Sequence, residues 1–382
     1  MEPSESDHVR ANADLFGGFV DSDGILTCGV EFKFLLPSVD CEAEDPDPDV
    51  TDQILYRSDR NDPESVDQQH LDGIPSRLVD DYVDGVWSTT YTTYRGVAHD
   101  SWRIGPDRQI DETKTDYNGS KGPYHWTPYE LVSPVMSSCH YARQIDSVCR
   151  VLKTVRINLN ETTSVHVHVG RSNEEFSLKT VQKFATLYWL TEKAIMELHH
   201  PDRSKNIHCM PLTQHSVLAG KSLAVLSADP YDRAYTLYNI DAYIPETGLD
   251  ELRRAQIRMI WKCCFIDQVV DLMRIVEDGE PSRRGSIGFL GFMRWRHPGW
   301  FTHTFEWRQM SGSIDPKQIN QWIRVCIAFT DFCRLSDATN FKDFASKAVA
   351  KGDDYSGIQL LKDLWVDTRI FKSMRKEWAQ NR

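Results

Sequence analysis

The sequence lacks the features that would place it at or across a membrane. Its 382 residues contain no apolar run that approaches the roughly 20 residues of a membrane-spanning helix. The polar opening MEPSESDHVR has neither the basic start nor the apolar centre of a secretion signal. We therefore expect no membrane partner and a cytoplasmic location.

The sequence also has fewer basic than acidic residues and lacks a paired-cysteine motif. The formal net charge is −12, which argues against a surface built for nucleic acid or anionic lipid and favours small-molecule partners. The nine cysteines contain no Cys-x-x-Cys spacing, so structural zinc and redox motifs of that type are not indicated. Free and mostly buried thiols are the expectation.

The apolar content is sufficient for a large core. Hydrophobic residues make up 40% of the chain, which includes 11 tryptophans, and no internal repeat is visible. We predict a flexible tail over residues 1–22, a catalytic domain over 23–335 and a C-terminal helical extension over 336–382. An acidic, proline-containing insert at about 38–75 is predicted to be a mobile surface loop.

Strand-like patterns dominate up to residue 170, and helical patterns follow from residue 176. The periodicity predicts helices over 176–200 and 250–277, and a third that starts at Pro316 with Asp315 as its N-cap. Strands followed by helices indicate an α+β fold. We expect a mostly antiparallel β-sheet with helices packed on one side.

The segment TTSVHVHVG, residues 162–170, places two histidines on one face of a predicted strand. Because side chains alternate along a strand, Val165, Val167 and Val169 share one face, while His166 and His168 share the other. A satisfied structural histidine is the simpler interpretation of either one alone.

Two further segments repeat this arrangement. In ILTCGVEFKFLLP an unbroken apolar face leaves Glu31 and Lys33 on the reverse, and in FTHTFEWRQM the same alternation leaves Glu306 and Arg308. An amphipathic sheet with one wet face remains the plain alternative. If the three strands are neighbours, however, the carboxylates and imidazoles converge.

Such a cluster suits a divalent cation and an anion together. Glu31, His166 and Glu306 would offer oxygen and nitrogen ligands to the cation. Arg308 and His168 would lie beside it and could bind a phosphate that also touches the metal. A zinc or iron enzyme that uses the His-x-His strand is a second interpretation.

The segments GVEFKFLLP, YELVSPVM, VHVHVG and FEWRQMSGSIDPKQINQWI, in this order, resemble the amidoligase family found widely in fungi. That family is similar to the carboxylate–amine ligases glutamine synthetase and glutamate–cysteine ligase. The resemblance runs from about residue 25 to 335. It implies a curved, mostly antiparallel sheet of a type that guanidino kinases also share, with the polar residue pairs on its concave face and helices behind.

The resemblance also implies roles for individual residues. Glu31, His166 and Glu306 match the ligands of the metal nearest the nucleotide phosphates, and Glu130 resembles a ligand of a second metal. The family's first strand reads Gly-x-Glu-x-Glu, whereas Lys33 stands at its second carboxylate position. Lys33 could replace a cation's charge and bind phosphate or substrate, or it could disable the site.

Further matches extend the predicted site beyond the metal ligands. His168 resembles a nucleotide-phosphate contact, Arg308 an arginine that faces the transferred phosphoryl group, and Asp107 part of the amine pocket. Arg203 and Asn239 resemble residues of the substrate side, although a helix-end surface cation is an equally simple interpretation of Arg203.

The implied activity is ATP-dependent amide formation through an acyl phosphate, with Mg²⁺ or Mn²⁺ as the metal. A small carboxylic acid and an amine are the expected partners, without nucleic acid, and homo-oligomerisation is left open. A catalytically inactive relative that binds nucleotide is the third interpretation, motivated by Lys33. No residue pattern specifies which acid or amine is used.

Overall fold

The computed structural model describes residues 24–58, 63–80, 86–88, 101–107, 109–112, 124–172, 174–228, 240–293 and 302–380. The predicted tail, residues 1–22, and Asn239 lie outside these ranges. The strands are β1 (Thr27–Asp40), β2 (Tyr56–Ser58), β3 (Val86–Ser88), β4 (Trp102–Pro106), β5 (His125–Val132), β6 (Met136–Ser137), β7 (Ser164–Gly170), β8 (Ile275–Glu277), β9 (Glu280–Ser282), β10 (Ile287–Gly288) and β11 (Phe305–Ser311).

The α-helices mostly follow the strands along the chain. They are α1 (Pro63–Asp80), α2 (Tyr141–Leu152), α3 (Leu178–Met196), α4 (Leu212–His215), α5 (Leu223–Ser227), α6 (Glu251–Lys262), α7 (Ile266–Met273), α8 (Pro316–Leu335), α9 (Ala338–Lys351), α10 (Gly357–Asp363) and α11 (Arg369–Gln380). Within the described ranges, no helix combines the length and apolar character needed to span a membrane.

One large sheet dominates the strands. Its order is β10-β11-β7-β1-β5-β4-β3, and β2 and β6 also pair with β1. The pairs β1–β5, β4–β5, β1–β6 and β10–β11 are antiparallel, whereas β1–β2 and β3–β4 are parallel. The protein thus has the predicted α+β fold, a mostly antiparallel open sheet with helices packed around it.

The chain divides into two compact units. Unit 1 contains Val169–Trp307 and Arg324–Arg382 together with residues up to Leu26, and unit 2 contains Thr27–His168 and Arg308–Ile323. Three of the boundaries fall inside β7, β11 and α8, so each of these elements contributes residues to both units. The predicted division at residues 22 and 335 stays a prediction.

Unit 2 is organised by β1 and its neighbours. The alternation predicted for this strand is present, because Cys28, Val30 and Phe32 are buried. The ring of Phe32 lies 6.2 Å from that of Trp102 on β4. The apolar face of β1 therefore reaches an aromatic ring on β4, two strands away in the sheet, which leaves the reverse face of β1 for charged side chains.

Unit 1 is centred on α3. Ser177 caps this helix by accepting a hydrogen bond from the Thr180 backbone N–H. Phe184 in the middle of the helix stacks on Phe305, with ring centroids 3.7 Å apart and planes 4° from parallel. Trp307 and Phe329 contact the same Phe184 ring edge-on. This aromatic cluster supports the first residues of β11.

Helix boundaries confirm one prediction and correct another. Helix α8 begins at Pro316 as predicted, and the Asp315 carboxylate accepts a hydrogen bond from the Lys317 backbone N–H at 2.9 Å. The single helix predicted over 250–277 is wrong, because α6 ends at Lys262 and α7 starts at Ile266. The side chain of Gln268 accepts the Cys264 backbone N–H at 2.6 Å and thereby caps the second helix.

The acidic insert is more ordered than the composition suggested. Arg156, which is 2% exposed, forms a bidentate ion pair with Asp45 at 2.6 and 2.7 Å and also donates to the backbone carbonyls of Asp47 and Val50. Strand β1 extends to Asp40, and α1 begins at residue 63. The prediction of a loop throughout 38–75 is therefore wrong, because strand and helix lie inside that range and Arg156, more than a hundred residues away along the chain, binds residues 45, 47 and 50 between them.

Two buried histidines make the fold sensitive to acid. Burial lowers the pKa of His70 to about 4. Burial, assisted by the positive charge of Arg203, lowers the pKa of His199 to about 3. Because the unfolded chain takes up these protons first, we expect full stability above about pH 6.5. The free energy of unfolding is then lost as the pH falls from about 6.5 through the folded-state pKa values of His70 and His199, by on the order of 3 kcal/mol for each histidine.

Urea unfolding at about pH 7.5 and about pH 5 tests this expectation. His199→Gln removes one titrating group, so it should lose less unfolding free energy between the two pH values than the wild type. His125→Gln is the matched control, because that histidine is 65% exposed. Equal losses in the wild type and His199→Gln would contradict the assignment.

Candidate functional site

Glu31 on β1 contacts both histidines of β7. The Nδ1–H of His166 donates to Glu31 Oε2 at 3.0 Å, and the Nε2–H of His168 donates to Glu31 Oε1 at 3.1 Å. Each carboxylate oxygen thus accepts one imidazole proton, which determines the tautomer of each neutral ring. Within unit 2, Glu31 thus meets both imidazoles of the cluster that the sequence predicts around Glu31, His166 and Glu306.

Ser164 completes the His166 environment. Its hydroxyl lies 2.9 Å from His166 Nε2, and since Nδ1 carries the proton shared with Glu31, the hydroxyl donates to Nε2. Sequence reasoning did not assign Ser164 a role. Strand alternation already placed Ser164 on the histidine face, and that signal was sufficient to find it.

The charge on Glu31 is strongly favoured by its partners. Burial would raise the pKa of Glu31, but the hydrogen bonds from His166 and His168 and the nearby Lys33 charge outweigh it and hold the pKa well below its usual value. Glu31 is therefore a carboxylate at neutral pH, with two oxygens that each already face a nitrogen donor.

Lys33 lies two residues further along β1, within an acidic group. Its Nζ donates to the carboxylate of Asp107 and to Glu130 Oε2 at 2.9 Å, and lies 4.0 Å from Glu31 Oε2. Sheet register explains the approach, since Lys33 stands directly opposite Glu130 in the β1–β5 pair. Asp107 immediately follows β4, the next strand of the sheet.

The ionisation of this group reflects both burial and mutual repulsion. Burial alone would lower the pKa of Lys33, but the charges of Glu130, Asp107 and Glu31 raise it well above its usual value. Burial raises the pKa of Glu130 to about 7, even though Lys33 lies beside it. Lys33 is thus a permanent ammonium in a pocket that holds more negative than positive charge.

Glu306 and Arg308 lie on β11, which neighbours β7 in the sheet. Phe305 and Trp307 are fully buried, so alternation places Glu306 and Arg308 together on the opposite face, as predicted. Gly288 stands opposite Glu306 in the β10–β11 pair, and a Cβ added there would lie 2.8 Å from Glu306 Oε2. A side chain at position 288 would therefore displace this carboxylate from its observed place.

The two residues predicted for the substrate side have different outcomes. Arg203 lies in a 3₁₀ turn over Pro201–Lys205 and is 3% exposed, so it is not the helix-end surface cation that the sequence equally allowed. It belongs to unit 1, beside His199. Asn239 falls outside the described residues.

The two ends of the β1 face differ in how well they fit a divalent cation. Around Glu31 the two imidazole nitrogens that approach the carboxylate carry protons, so the carboxylate oxygens are the groups that could bind Mg²⁺ or Mn²⁺ once those protons are displaced. Around Lys33 the carboxylates already surround an ammonium. A cation could therefore be accommodated at Glu31, whereas Lys33 already fills the second position.

The strands of this mostly antiparallel sheet carry carboxylates, imidazoles, a buried lysine and a buried arginine. Such a set of groups is typical of an enzyme site for small charged molecules. A family model described as "putative amidoligase enzyme" matches residues 26–243, which is more than half of the chain. The protein therefore belongs to the amidoligase family. No curated protein matches the sequence.

The family match covers part of the predicted site. Glu31, Lys33, Asp107, Glu130 and the histidines of β7 all lie inside residues 26–243. Glu306 and Arg308 on β11 lie beyond the match. Their assignment therefore depends on the order of strands in the sheet and on the FEWRQ segment.

Proposed function

We propose that this amidoligase is an ATP-dependent carboxylate–amine ligase. The observation that carries the proposal is Glu31, a partly buried carboxylate that both β7 histidines hold in its ionised form. Such a preorganised anionic group is the expected anchor for a nucleotide-bound cation. The described geometry thus supports the charge handling that phosphoryl transfer requires.

The proposed reaction has two steps. A carboxylate oxygen of the acid attacks the γ-phosphorus of ATP, and the bond from that phosphorus to the bridging oxygen breaks, which gives an acyl phosphate and ADP. The amine then attacks the acyl carbon, and phosphate leaves with the C–O bonding electrons as the nitrogen loses a proton. A free carboxylate would have to expel oxide when the amine attacks. The acyl phosphate expels phosphate instead, which is a much better leaving group.

The chain's own residues have assigned roles in this proposal. Glu31, His166 and Glu306 would hold Mg²⁺ or Mn²⁺, which supplies positive charge to the phosphate oxygens. His168 and Arg308 would donate hydrogen bonds to phosphate. Asp107 would contribute negative charge beside the amine, and Lys33 would hold the Asp107 carboxylate in place. Arg203 and Asn239 are proposed for the substrate side.

Hydroxylamine provides a test that does not require the natural amine. It attacks acyl phosphates to give hydroxamates, so a panel of carboxylic acids can be screened with ATP, Mg²⁺ and hydroxylamine. We expect at least one acid to give hydroxamate and ADP in equal amounts, and ¹⁸O from the labelled acid to appear in phosphate. Glu251→Gln, a change on the exposed start of α6, serves as the unaffected control.

Specific outcomes would refute the proposal. ADP formation that is independent of every acid would indicate a simple ATPase, and stoichiometric tightly bound zinc or iron in the purified protein would favour the His-x-His metal enzyme instead. Nucleotide binding with no hydroxamate from any acid would leave the inactive relative as the explanation.

A further inference from the structure

We propose that the Lys33 ammonium occupies the place of a divalent cation, so that the protein carries a covalently tethered charge where a metal would otherwise be held. The donor set is that of a cation site. Carboxylate oxygens of Asp107, Glu130 and Glu31 all lie within 4.0 Å of Lys33 Nζ. Carboxylates gathered around one point are the ligands that hard divalent ions prefer.

Burial explains why a cation is required at this point. Lys33 and Asp107 have side chains only 7% exposed, and those of Glu130 and Glu31 are about one fifth exposed. Carboxylates so close together and so poorly hydrated repel one another strongly unless a positive charge lies between them. The lysine supplies that charge from within the chain.

The contacts of the ammonium also match those expected of a cation that bridges several strands. A lysine nitrogen has three N–H donors and no acceptor. Here it donates to Asp107, which immediately follows β4, and to Glu130, which lies on β5. It thereby joins three neighbouring strands at one point, as a metal bridging their carboxylates would. Unlike a metal, it cannot dissociate or be removed by a chelator.

Lys33→Met is the direct test, because methionine keeps the length of the stem and removes the charge. The readout is the number of Mn²⁺ ions bound per chain, measured from the free Mn²⁺ signal in electron paramagnetic resonance, with the melting temperature measured in parallel. We expect the variant to bind about one more Mn²⁺ than the wild type. Mn²⁺ should also raise its melting temperature more than that of the wild type.

Two matched variants sharpen the result. Lys193→Met removes a lysine that is 64% exposed and pairs with the exposed Asp353, so it should gain no Mn²⁺. Glu130→Gln in the wild-type background should leave Mn²⁺ binding unchanged, because Lys33 already occupies that carboxylate. The Glu130→Gln result remains informative even if Lys33→Met does not fold.

The outcomes separate clearly. A folded Lys33→Met with the wild-type number of Mn²⁺ ions overturns the proposal, as does a wild-type ion that disappears in Glu130→Gln. A variant that folds only when Mn²⁺ is present supports it. None of these measurements uses catalysis, so failure of the ligase assay leaves the conclusion about Lys33 unaffected.

Discussion

Glu31→Gln is expected to reduce hydroxamate formation by about 10³-fold, roughly 4 kcal/mol of transition-state stabilisation. The change keeps the size of the side chain but removes its negative charge. It also alters the hydrogen bonding, because a glutamine has one acceptor oxygen and one amide nitrogen where the carboxylate offers two acceptors. One of the two histidine N–H groups would then face a donor.

The histidine affected is expected to be His166. Ser164 can reverse its hydroxyl and accept a hydrogen bond, so His166 can move its proton from Nδ1 to Nε2 and accept from the glutamine amide. The fold should therefore tolerate the change while the charge that anchors a cation is lost. We expect KM for ATP to rise and kcat to fall together.

The measurement is the rate of hydroxamate formation at saturating acid, combined with thermal unfolding of the same sample. Glu251→Gln removes the same charge at an exposed position and should retain the wild-type rate. A folded Glu31→Gln that keeps its rate within about threefold of the wild type would remove Glu31 from the proposed machinery.

Strand alternation carried most of what the sequence could predict about this site. A strand has a period of two residues regardless of its surroundings, so Glu31 with Lys33, His166 with His168, and Glu306 with Arg308 could each be assigned to a shared face. The apolar reverse faces, for example Val165 and Val167, then indicated which side packs into the apolar core. Local geometry alone was sufficient for these assignments.

The environment of Lys33 could not be predicted in the same way. Its partners Glu130 and Asp107 are 97 and 74 residues away along the chain. The sheet register that places Glu130 opposite Lys33 depends on how β5 returns to β1, which no local pattern encodes. A lysine at a carboxylate position therefore looked equally like a substitute charge or a defect.

The burial of charged groups near the acidic insert and at Arg203 also could not be predicted from local sequence. Composition predicted solvent exposure for the insert, and a surface cation was one of two interpretations of Arg203. Arg156 is buried within this acidic segment because a bidentate ion pair with Asp45 and further backbone acceptors offset the cost of burying the guanidinium. Long-range pairing of this kind cannot be recognised from charge patterns.

Phe184→Ala is expected to lower the free energy of unfolding of unit 1 by about 4 kcal/mol. Phe184 is completely buried, stacks face to face on Phe305, and meets Trp307 and Phe329 edge-on. Truncation removes the stacked ring and leaves a cavity that the rigid neighbouring aromatics cannot collapse to fill. The loss should therefore lie at the upper end for an aromatic core residue.

Urea unfolding followed by tryptophan fluorescence measures this loss. Phe332→Ala is the matched control, because that ring is only partly buried and contacts Phe341 and Phe344 elsewhere in unit 1, so a smaller loss is expected. A Phe184→Ala loss below about 1 kcal/mol would show that the cluster is not a main source of stability. Because Phe305 immediately precedes Glu306 on β11, Phe184→Ala should also slow hydroxamate formation in protein that is still folded, whereas Phe332→Ala should not.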